Sequence, residues 1–339
     1  MRALAALLVV FDHCLFTLVE KAGASADITP LAAMLGGTGV KLFFAISGFV
    51  MIVSSTKAFG AHASVAFVQR RLIRIAPLYW ITTCIYAAKL GLVGTPTSLP
   101  DFVRSLLFIP FMNSGGEIQP VYGLGWTLNY EVFFYLLFAL GLLHSLRTTL
   151  TLAGATLLML VFYGSTLSIA NEHVFSVLLY YWSRPIVLFF LVGMTLPFIV
   201  ARLRSKLALQ QLAFGNACLA SALLVVFALA VEHHYAISTP LQLLLLSLPV
   251  LVAALASAQT ANRGFARLAT TLGDSSYSIY LTHSFVIGPF GRIYGKLGID
   301  APILYVATML IVCSYIGILC FRYIETPIIR WLTAKMTAA

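Results

Sequence analysis

Residues 3–19 read ALAALLVVFDHCLFTLV, an apolar stretch about long enough to cross a bilayer and interrupted by the polar pair Asp12 and His13. A charged side chain within hydrocarbon costs at least about 2.5–3.5 kcal/mol, so such a pair indicates a functional site. An alternative interpretation is a cleavable signal peptide, because Arg2 precedes the stretch and small residues follow it at 22–26. The ionisable pair argues against a signal peptide and favours a first transmembrane helix.

The composition extends this conclusion to the whole chain. Of its 339 residues, 60% are hydrophobic and only 9% are charged, whereas a soluble domain carries roughly 25% charged side chains. These values exclude a soluble globular protein and a disordered chain. We predict an all-α, polytopic integral membrane protein with about ten transmembrane helices and no separate soluble domain. The predicted spans are residues 3–19, 39–55, 76–93, 125–143, 149–168, 177–200, 212–231, 238–257, 273–290 and 302–322.

The net charge of +10 is explained by membrane topology and not by binding to nucleic acid. An even number of spans places both termini on one face of the membrane. If that face is cytoplasmic, the inner side collects fourteen basic residues and the outer side four, which the positive-inside rule predicts. The inner residues are Arg2, Lys57, Arg70, Arg71, Arg74, Arg147, Arg202, Arg204, Lys206, Arg263, Arg267, Arg322, Arg330 and Lys335, and the outer ones are Lys21, Arg104, Arg292 and Lys296.

The cysteines and histidines give no indication of a metal site. Five cysteines are scattered through apolar segments without a C-x-x-C spacing, which supports neither a disulfide framework nor a zinc or iron–sulfur centre. We therefore expect no metal.

Titratable side chains on three predicted helices reach a similar depth in the membrane. His13 follows Arg2 by eleven residues, close to three helical turns, so both side chains point to nearly the same face. Tyr280 and His283 lie on one polar stripe of the ninth span, and Glu131 enters from the opposite side in the fourth. We predict that His13, His283 and Glu131 meet in a wet pocket. A histidine that packs through hydrogen bonds to its neighbours is the alternative, above all for His283.

An arginine cluster precedes the third span. Arg70, Arg71 and Arg74 lie on adjoining faces if this segment is helical, and Pro77 fits the first turn of the helix that follows. Guanidinium groups suit bidentate recognition of phosphate. Contact with anionic lipid is the commoner use of such a cluster and remains the alternative.

Together these residues would form a basic opening on the cytoplasmic side, with histidines near the membrane centre and a carboxylate toward the outer side. This arrangement suits transfer of a group from a cytosolic donor to an acceptor across or within the bilayer. A transporter of polar metabolites or a polysaccharide flippase is a second hypothesis, since such proteins also carry ionisable residues at depth. A non-catalytic assembly subunit is a third, although it would not need them.

Six segments carry a resemblance to a known family. They are RALAALLVVFDH (2–13), GVKLFFAISGFVM (39–51), RRLIRIAPLYW (70–80), GWTLNYEVFFYLLF (125–138), LGDSSYSIYLTH (272–283) and YIETP (323–327). In this order and spacing the sequence resembles the membrane-bound acyltransferase 3 family, and within it the bacterial exopolysaccharide O-acetyltransferases. The resemblance implies one transmembrane acyltransferase domain over residues 1–339, in the bacterial cytoplasmic (inner) membrane.

The resemblance also implies the substrates and the residues that bind the donor. The donor is a cytosolic acyl-CoA, usually acetyl-CoA, and the acceptor is a hydroxyl of a surface carbohydrate or of its lipid-linked precursor. The family's Arg-x10-His motif falls on Arg2 and His13, which makes His13 the catalytic histidine. Its Arg-x-x-Arg motif falls on Arg71 and Arg74, which would engage the CoA phosphates together with Arg70.

The remaining family positions fall on the fourth and ninth spans. An aromatic-x4-Glu element falls on Trp126 and Glu131, and the histidine of the ninth helix is His283. We expect Glu131 and His283 to act with His13, and Trp126, Tyr280 and Lys41 to contact the acceptor.

Our mechanistic hypothesis makes His13 the general base that removes the proton of the acceptor hydroxyl, a role that typically contributes 10²- to 10⁴-fold. A covalent acyl-histidine intermediate is left open. Asp12 is not assumed to orient His13, because consecutive residues of a helix point about 100° apart.

Overall fold

The computed structural model describes residues 1–22, 26–55, 58–164, 166, 174–206, 212–234, 238–257, 263–298 and 301–338. Within these ranges the chain is almost entirely helical, as predicted. The helices are α1 (Arg2–Ala22), α2 (Thr29–Ser55), α3 (Ala61–Leu92), α4 (Leu99–Leu106), α5 (Trp126–Leu142), α6 (Leu146–Gly164), α7 (Val174–Trp182), α8 (Val187–Lys206), α9 (Phe214–His234), α10 (Thr239–Ala254), α11 (Arg263–Asp274), α12 (Ser276–Leu297), α13 (Pro302–Cys320) and α14 (Thr326–Ala338).

Each predicted span overlaps a helix. In the described part of the chain, seven helical segments are long and apolar enough to cross a membrane: Arg2–Glu20, Thr29–Ser55, Ala61–Leu92, Leu146–Gly164, Val187–Arg204, Asn216–His233 and Pro302–Met336. Two further predicted spans coincide with shorter helices, α5 of 17 residues and α10 of 16 residues. The remaining predicted span, the ninth, coincides with α12, whose stripe of polar side chains lowers its hydropathy. A total of about ten spans and the cytoplasmic termini remain predictions.

The predicted span 177–200 is wrong as one continuous helix. Helix α7 ends at Trp182 and α8 begins at Val187, with a turn between them. Pro185 lies in that turn, where its missing N–H removes one helical hydrogen bond. Arg184 stays at the break, where its guanidinium donates to the Tyr180 hydroxyl at 2.5 Å and covers the Tyr180 ring.

Helix α3 begins at Ala61, well before the predicted start of the third span at residue 76. Pro77 therefore lies inside the helix, contrary to our expectation that it begins one. The proline leaves the Ile73 carbonyl without its usual N–H donor, a loss that a long helix absorbs as a local bend. The basic segment that we separated from the span is thus part of the same helix.

By packing, the described residues form two compact units, residues 1–50 with 192–323 and residues 51–191 with 324–339. In the first unit α1 packs against α12 and α13. Two glycines allow close approach: a Cβ on Gly291 would meet Thr17 of α1, and one on Gly317 of α13 would meet Ile279 of α12. The shared core consists of Ala6, Val10, Cys14, Leu18, Ile279, Val286, Ile287, Tyr305, Val306, Met309 and Cys313.

Helices α9 and α10 form an antiparallel pair in the same unit. The Ser221 hydroxyl of α9 donates to the Pro249 carbonyl of α10 at 3.0 Å, a buried hydrogen bond between the two helices. Two short parallel strands, β1 (Leu212–Ala213) and β2 (Ala256–Ser257), join the start of α9 to the end of α10. This strand pair is the only sheet among the described residues.

In the second unit α5 packs between α3 and α6. A Cβ on Gly141 would overlap Thr149, so α6 turns back directly against α5. At the same end the Ser64 hydroxyl of α3 donates to the Ala139 carbonyl at 2.7 Å. At the other end of α5, Gly125 lies against the Tyr79 ring of α3. The two ends of α5 are therefore both fixed on α3.

The segment 94–124 contains the short helix α4. Ser98 caps this helix by accepting a hydrogen bond from the Asp101 amide at 3.2 Å. The Trp80 indole of α3 donates to the Leu106 carbonyl at 2.8 Å, so α4 folds back along α3.

Candidate active site

His13 lies on α1, where its ring is fixed by the helix backbone. Its Nδ1 atom is 2.9 Å from the Val9 carbonyl oxygen, one turn earlier. A carbonyl only accepts, so Nδ1 carries the hydrogen and, in the neutral ring, Nε2 holds the free lone pair. The His13 side chain is 39% exposed. Its basic nitrogen is therefore accessible to a reacting group.

His283 of α12 lies beside His13. The two ring centroids are 4.8 Å apart and the planes meet at 73°. His283 is fully buried, and its Nδ1 is 3.3 Å from the Ile279 carbonyl, the same contact that His13 makes on its own helix. Its Nε2 is buried without a hydrogen-bond partner among the described residues. Sequence reasoning thus placed the two histidines at one depth, and the structure makes them neighbours.

Tyr280 of α12 lies between His283 and an aromatic residue of α2. Its ring is 6.1 Å from that of His283 and 5.9 Å from Phe43 of α2, in an edge-to-face contact with Phe43. Tyr280 is buried. Arg2 begins α1 and is half-buried, close to three turns before His13.

Asp12 comes closer to His13 than its place on the helix suggested. One carboxyl oxygen of Asp12 is 3.7 Å from Nδ1 of His13, and the Asp12 side chain is 19% exposed. That separation exceeds a hydrogen bond but is short for two groups of opposite charge. The sequence alone could not predict whether the Asp12 carboxyl turns toward His13 or away from it.

Lys41 of α2 makes an ion pair that sequence analysis did not anticipate. Its Nζ is 3.0 Å from a carboxyl oxygen of Glu232 on α9, and the Gln242 amide of α10 donates to the same oxygen at 3.0 Å. The side chains of Lys41 and Glu232 are only 15% and 18% exposed. The pair joins α2 to the α9–α10 hairpin. Contact of Lys41 with the acceptor stays a prediction.

In the second unit, Arg71 is the most firmly held residue of the arginine cluster. Its guanidinium donates to the Ser54 hydroxyl at 2.7 Å. It also covers the rings of Phe67 at 5.4 Å and Tyr135 at 5.9 Å. Such stacking fixes the planar group with its remaining donors free to bind an anion. Arg70 is exposed and Arg74 is half-buried.

Helix α5 carries Trp126 and Glu131, both half-buried. A reciprocal tyrosine pair fixes its first turn: the Tyr130 hydroxyl donates to the Tyr181 carbonyl, and the Tyr181 hydroxyl donates to the Trp126 carbonyl, each at 2.6 Å. The two tyrosine rings stack with centroids 4.3 Å apart. Glu131 lies one turn before Tyr135, the ring that Arg71 covers.

The predicted site residues thus divide between the units. Arg2, His13, Lys41, Tyr280 and His283 belong to the first, and Arg70, Arg71, Arg74, Trp126 and Glu131 to the second. Within the described ranges, no group of three or more His, Cys, Asp or Glu side chains has the geometry of a metal site.

Comparison with known proteins defines the class to which these helices and histidines belong. A family model described as an acyltransferase domain, Acyl_transf_3, matches residues 1–322, so the chain belongs to this acyltransferase family. Among curated proteins, the exopolysaccharide production protein ExoZ of Rhizobium meliloti (strain 1021) is 32% identical over 333 residues, which cover 96% of this chain and 97% of that protein. No solved structure matches the chain.

Proposed function

We propose that this chain is an integral membrane O-acyltransferase that moves an acyl group, in the simplest case acetyl, from cytosolic acyl-CoA to a hydroxyl of a surface carbohydrate or its lipid-linked precursor. The observation that carries the proposal is the state of His13, whose Nδ1 is tied to the Val9 carbonyl at 2.9 Å while Nε2 remains available. Membership of the acyltransferase family supplies the reaction type.

The mechanism follows from that basic nitrogen. Nε2 of His13 takes the proton of the acceptor hydroxyl as the oxygen attacks the thioester carbonyl. The tetrahedral intermediate collapses, the C–S bond breaks, and the imidazolium returns its proton to the leaving CoA thiolate. His283 is fully buried and its ring touches that of His13, so we assign it to orienting the base. The products are an ester and free CoA.

Arginine side chains account for the donor end of the site. Arg71 is oriented by Ser54 and two aromatic rings, which lowers the entropy lost when it binds a phosphate. Arg74 lies almost one turn further along the same helix, and Arg70 precedes it. We assign these three and Arg2 to the phosphates of CoA.

The acceptor is assigned from a relative and from the aromatic side chains. The relative from Rhizobium meliloti is named for exopolysaccharide production, which supports a polysaccharide or its lipid-linked precursor. We assign Trp126 and Tyr280, whose ring type suits stacking on a sugar, to the acceptor, together with the polar side chains of Glu131 and Lys41. From the proposed cytosolic donor and surface acceptor, we infer that the enzyme lies in the bacterial cytoplasmic (inner) membrane.

The test is a transfer assay with protein purified in detergent. Radiolabelled acetyl-CoA is supplied with deacetylated surface polysaccharide, and both released CoA thiol and labelled glycan are measured. We expect stoichiometric release and labelling in the wild type, and a loss of at least about 10²-fold in His13→Ala. His144→Ala is the matched control, since that histidine is exposed beyond the end of α5.

Three outcomes would count against the proposal. Wild-type turnover by folded His13→Ala removes the catalytic assignment. Thiol release without labelled glycan indicates another acceptor. Absence of any acetyl-CoA consumption, together with uptake of a polar solute into vesicles, would establish a transporter instead.

A further inference from the structure

The carboxyl group of Asp12 occupies a confined space between the candidate base and the neighbouring helix α2. On one side its oxygen is 3.7 Å from Nδ1 of His13. On the other side it lies directly against the backbone of Gly36, where an added Cβ would overlap the carboxyl oxygen and come within 2.6 Å of Asp12 Cγ. The Asp12 carboxyl therefore packs directly against the α2 backbone at Gly36.

Only one of two consecutive glycines makes this space. A Cβ on Gly37 would meet no atom within 4 Å. Gly39, one turn after Gly36 on α2, packs against the Ala5 carbonyl of α1 and keeps the two helices close. The contact between α1 and α2 thus needs a glycine at residue 36 to leave room for the Asp12 carboxyl. Residue 37 could carry a side chain without touching it.

We propose that Asp12 is a positioning residue for His13 and that Gly36 provides the space it needs. This inference rests on the proposed function, in which His13 accepts the hydroxyl proton at Nε2. The ring then becomes a cation while its Nδ1–H stays on the Val9 carbonyl. A carboxylate 3.7 Å from that nitrogen stabilises the positive charge during the reaction and restrains the ring. No proton passes to Asp12 in this step.

Other groups around His13 do not supply this charge. His283 is the titratable neighbour from α12, and a second positive ring there would oppose the imidazolium. Lys41 of α2 is paired with Glu232. Among the described residues, the other acidic side chains on α1, α2, α11, α12 and α13 are Glu20 and Asp274, both exposed. The remaining titratable groups on these helices include Arg2, Arg267 and the buried thiols Cys14 and Cys313.

The first test replaces the charge and keeps the shape. Asp12→Asn is expected to lower kcat by about 10- to 100-fold, which is less than the full contribution of a general base. The KM for acetyl-CoA is expected to stay within about twofold of the wild-type value. A change in kcat with KM preserved distinguishes an effect on the reacting ring from weaker binding of the donor.

The second test removes the space. Gly36→Ala is expected to displace the carboxyl and lower kcat in the same way, whereas Gly37→Ala, the adjacent control, keeps wild-type activity. Because both changes act on one contact, the losses in the double variant Asp12→Asn/Gly36→Ala are expected to be less than additive. If Gly36→Ala fails to fold, the kcat and KM of Asp12→Asn decide the question.

The outcomes separate this inference from the proposed function. If His13→Ala is inactive and Asp12→Asn has wild-type kcat, the positioning role is refuted and the general base stands. If His13→Ala is fully active, both fail. A loss in Asp12→Asn that raises KM alone would reassign Asp12 to substrate binding and overturn the inference.

Discussion

The rings of His13 and His283 meet edge to face with their centroids 4.8 Å apart, although 270 residues separate them in the chain. The contact depends on how closely α1 and α12 pack. Gly291, about two turns after His283, lies against Thr17, one turn after His13. The absence of a side chain at this crossing therefore sets the distance between the two imidazoles.

The first prediction concerns His283. His283→Gln is expected to reduce kcat by about tenfold or more, because it removes the imidazole ring that packs against His13. Turnover and thermal unfolding in detergent are measured together. His62→Gln, an exposed position on α3, is the control. A variant with unchanged kcat would show that His283 only packs, the alternative that the sequence left open.

The second prediction concerns the crossing of α1 and α12. Gly291→Ala is expected to destabilise the protein by about 1–3 kcal/mol and to reduce activity, since the new Cβ meets Thr17 and pushes the helices apart. Gly288→Ala on the same helix meets no atom within 4 Å and should be neutral or slightly stabilising. Thermal unfolding and kcat of both variants provide the measurement. Equal behaviour of the two would contradict a spacing role for Gly291.

The third prediction concerns the donor end. Arg71→Gln is expected to raise KM for acetyl-CoA by about tenfold, the effect of losing roughly 1.4 kcal/mol of binding, with a smaller change in kcat. Arg147→Gln at the exposed start of α6 is the control. An unchanged KM combined with weaker binding to anionic lipid vesicles would show that the cluster anchors the protein to lipid headgroups.

The fourth prediction concerns Lys41 and Glu232. Lys41→Met leaves a mostly buried carboxylate that, among the described residues, keeps only Gln242 as partner, and the change is expected to cost about 1–3 kcal/mol of stability. Adding Glu232→Gln should recover most of that loss, because the unpaired charge is removed. If stability returns and transfer does not, Lys41 also acts on the acceptor. If both return together, its role is confined to joining α2 to the α9–α10 hairpin.

Much of the architecture could be predicted because it depends on local composition. Apolar stretches of about 20 residues indicate spans wherever they occur, and each predicted one overlaps a helix. The two errors have local physical causes. The charged residues before Pro77 hid the continuation of α3, and the apolar residues around Pro185 hid the turn between α7 and α8.

For the site, the sequence by itself determined which helices carry titratable groups and at what depth, because a regular helix converts residue spacing into height and direction. This brought His13 and His283 to one level. The tertiary structure alone decided that their rings touch, that the Asp12 carboxyl reaches His13 and that Gly36, not Gly37, makes room for it. Such contacts depend on the rotation and spacing of packed helices, which are fixed by side chains far apart in the chain and leave no pattern along either segment.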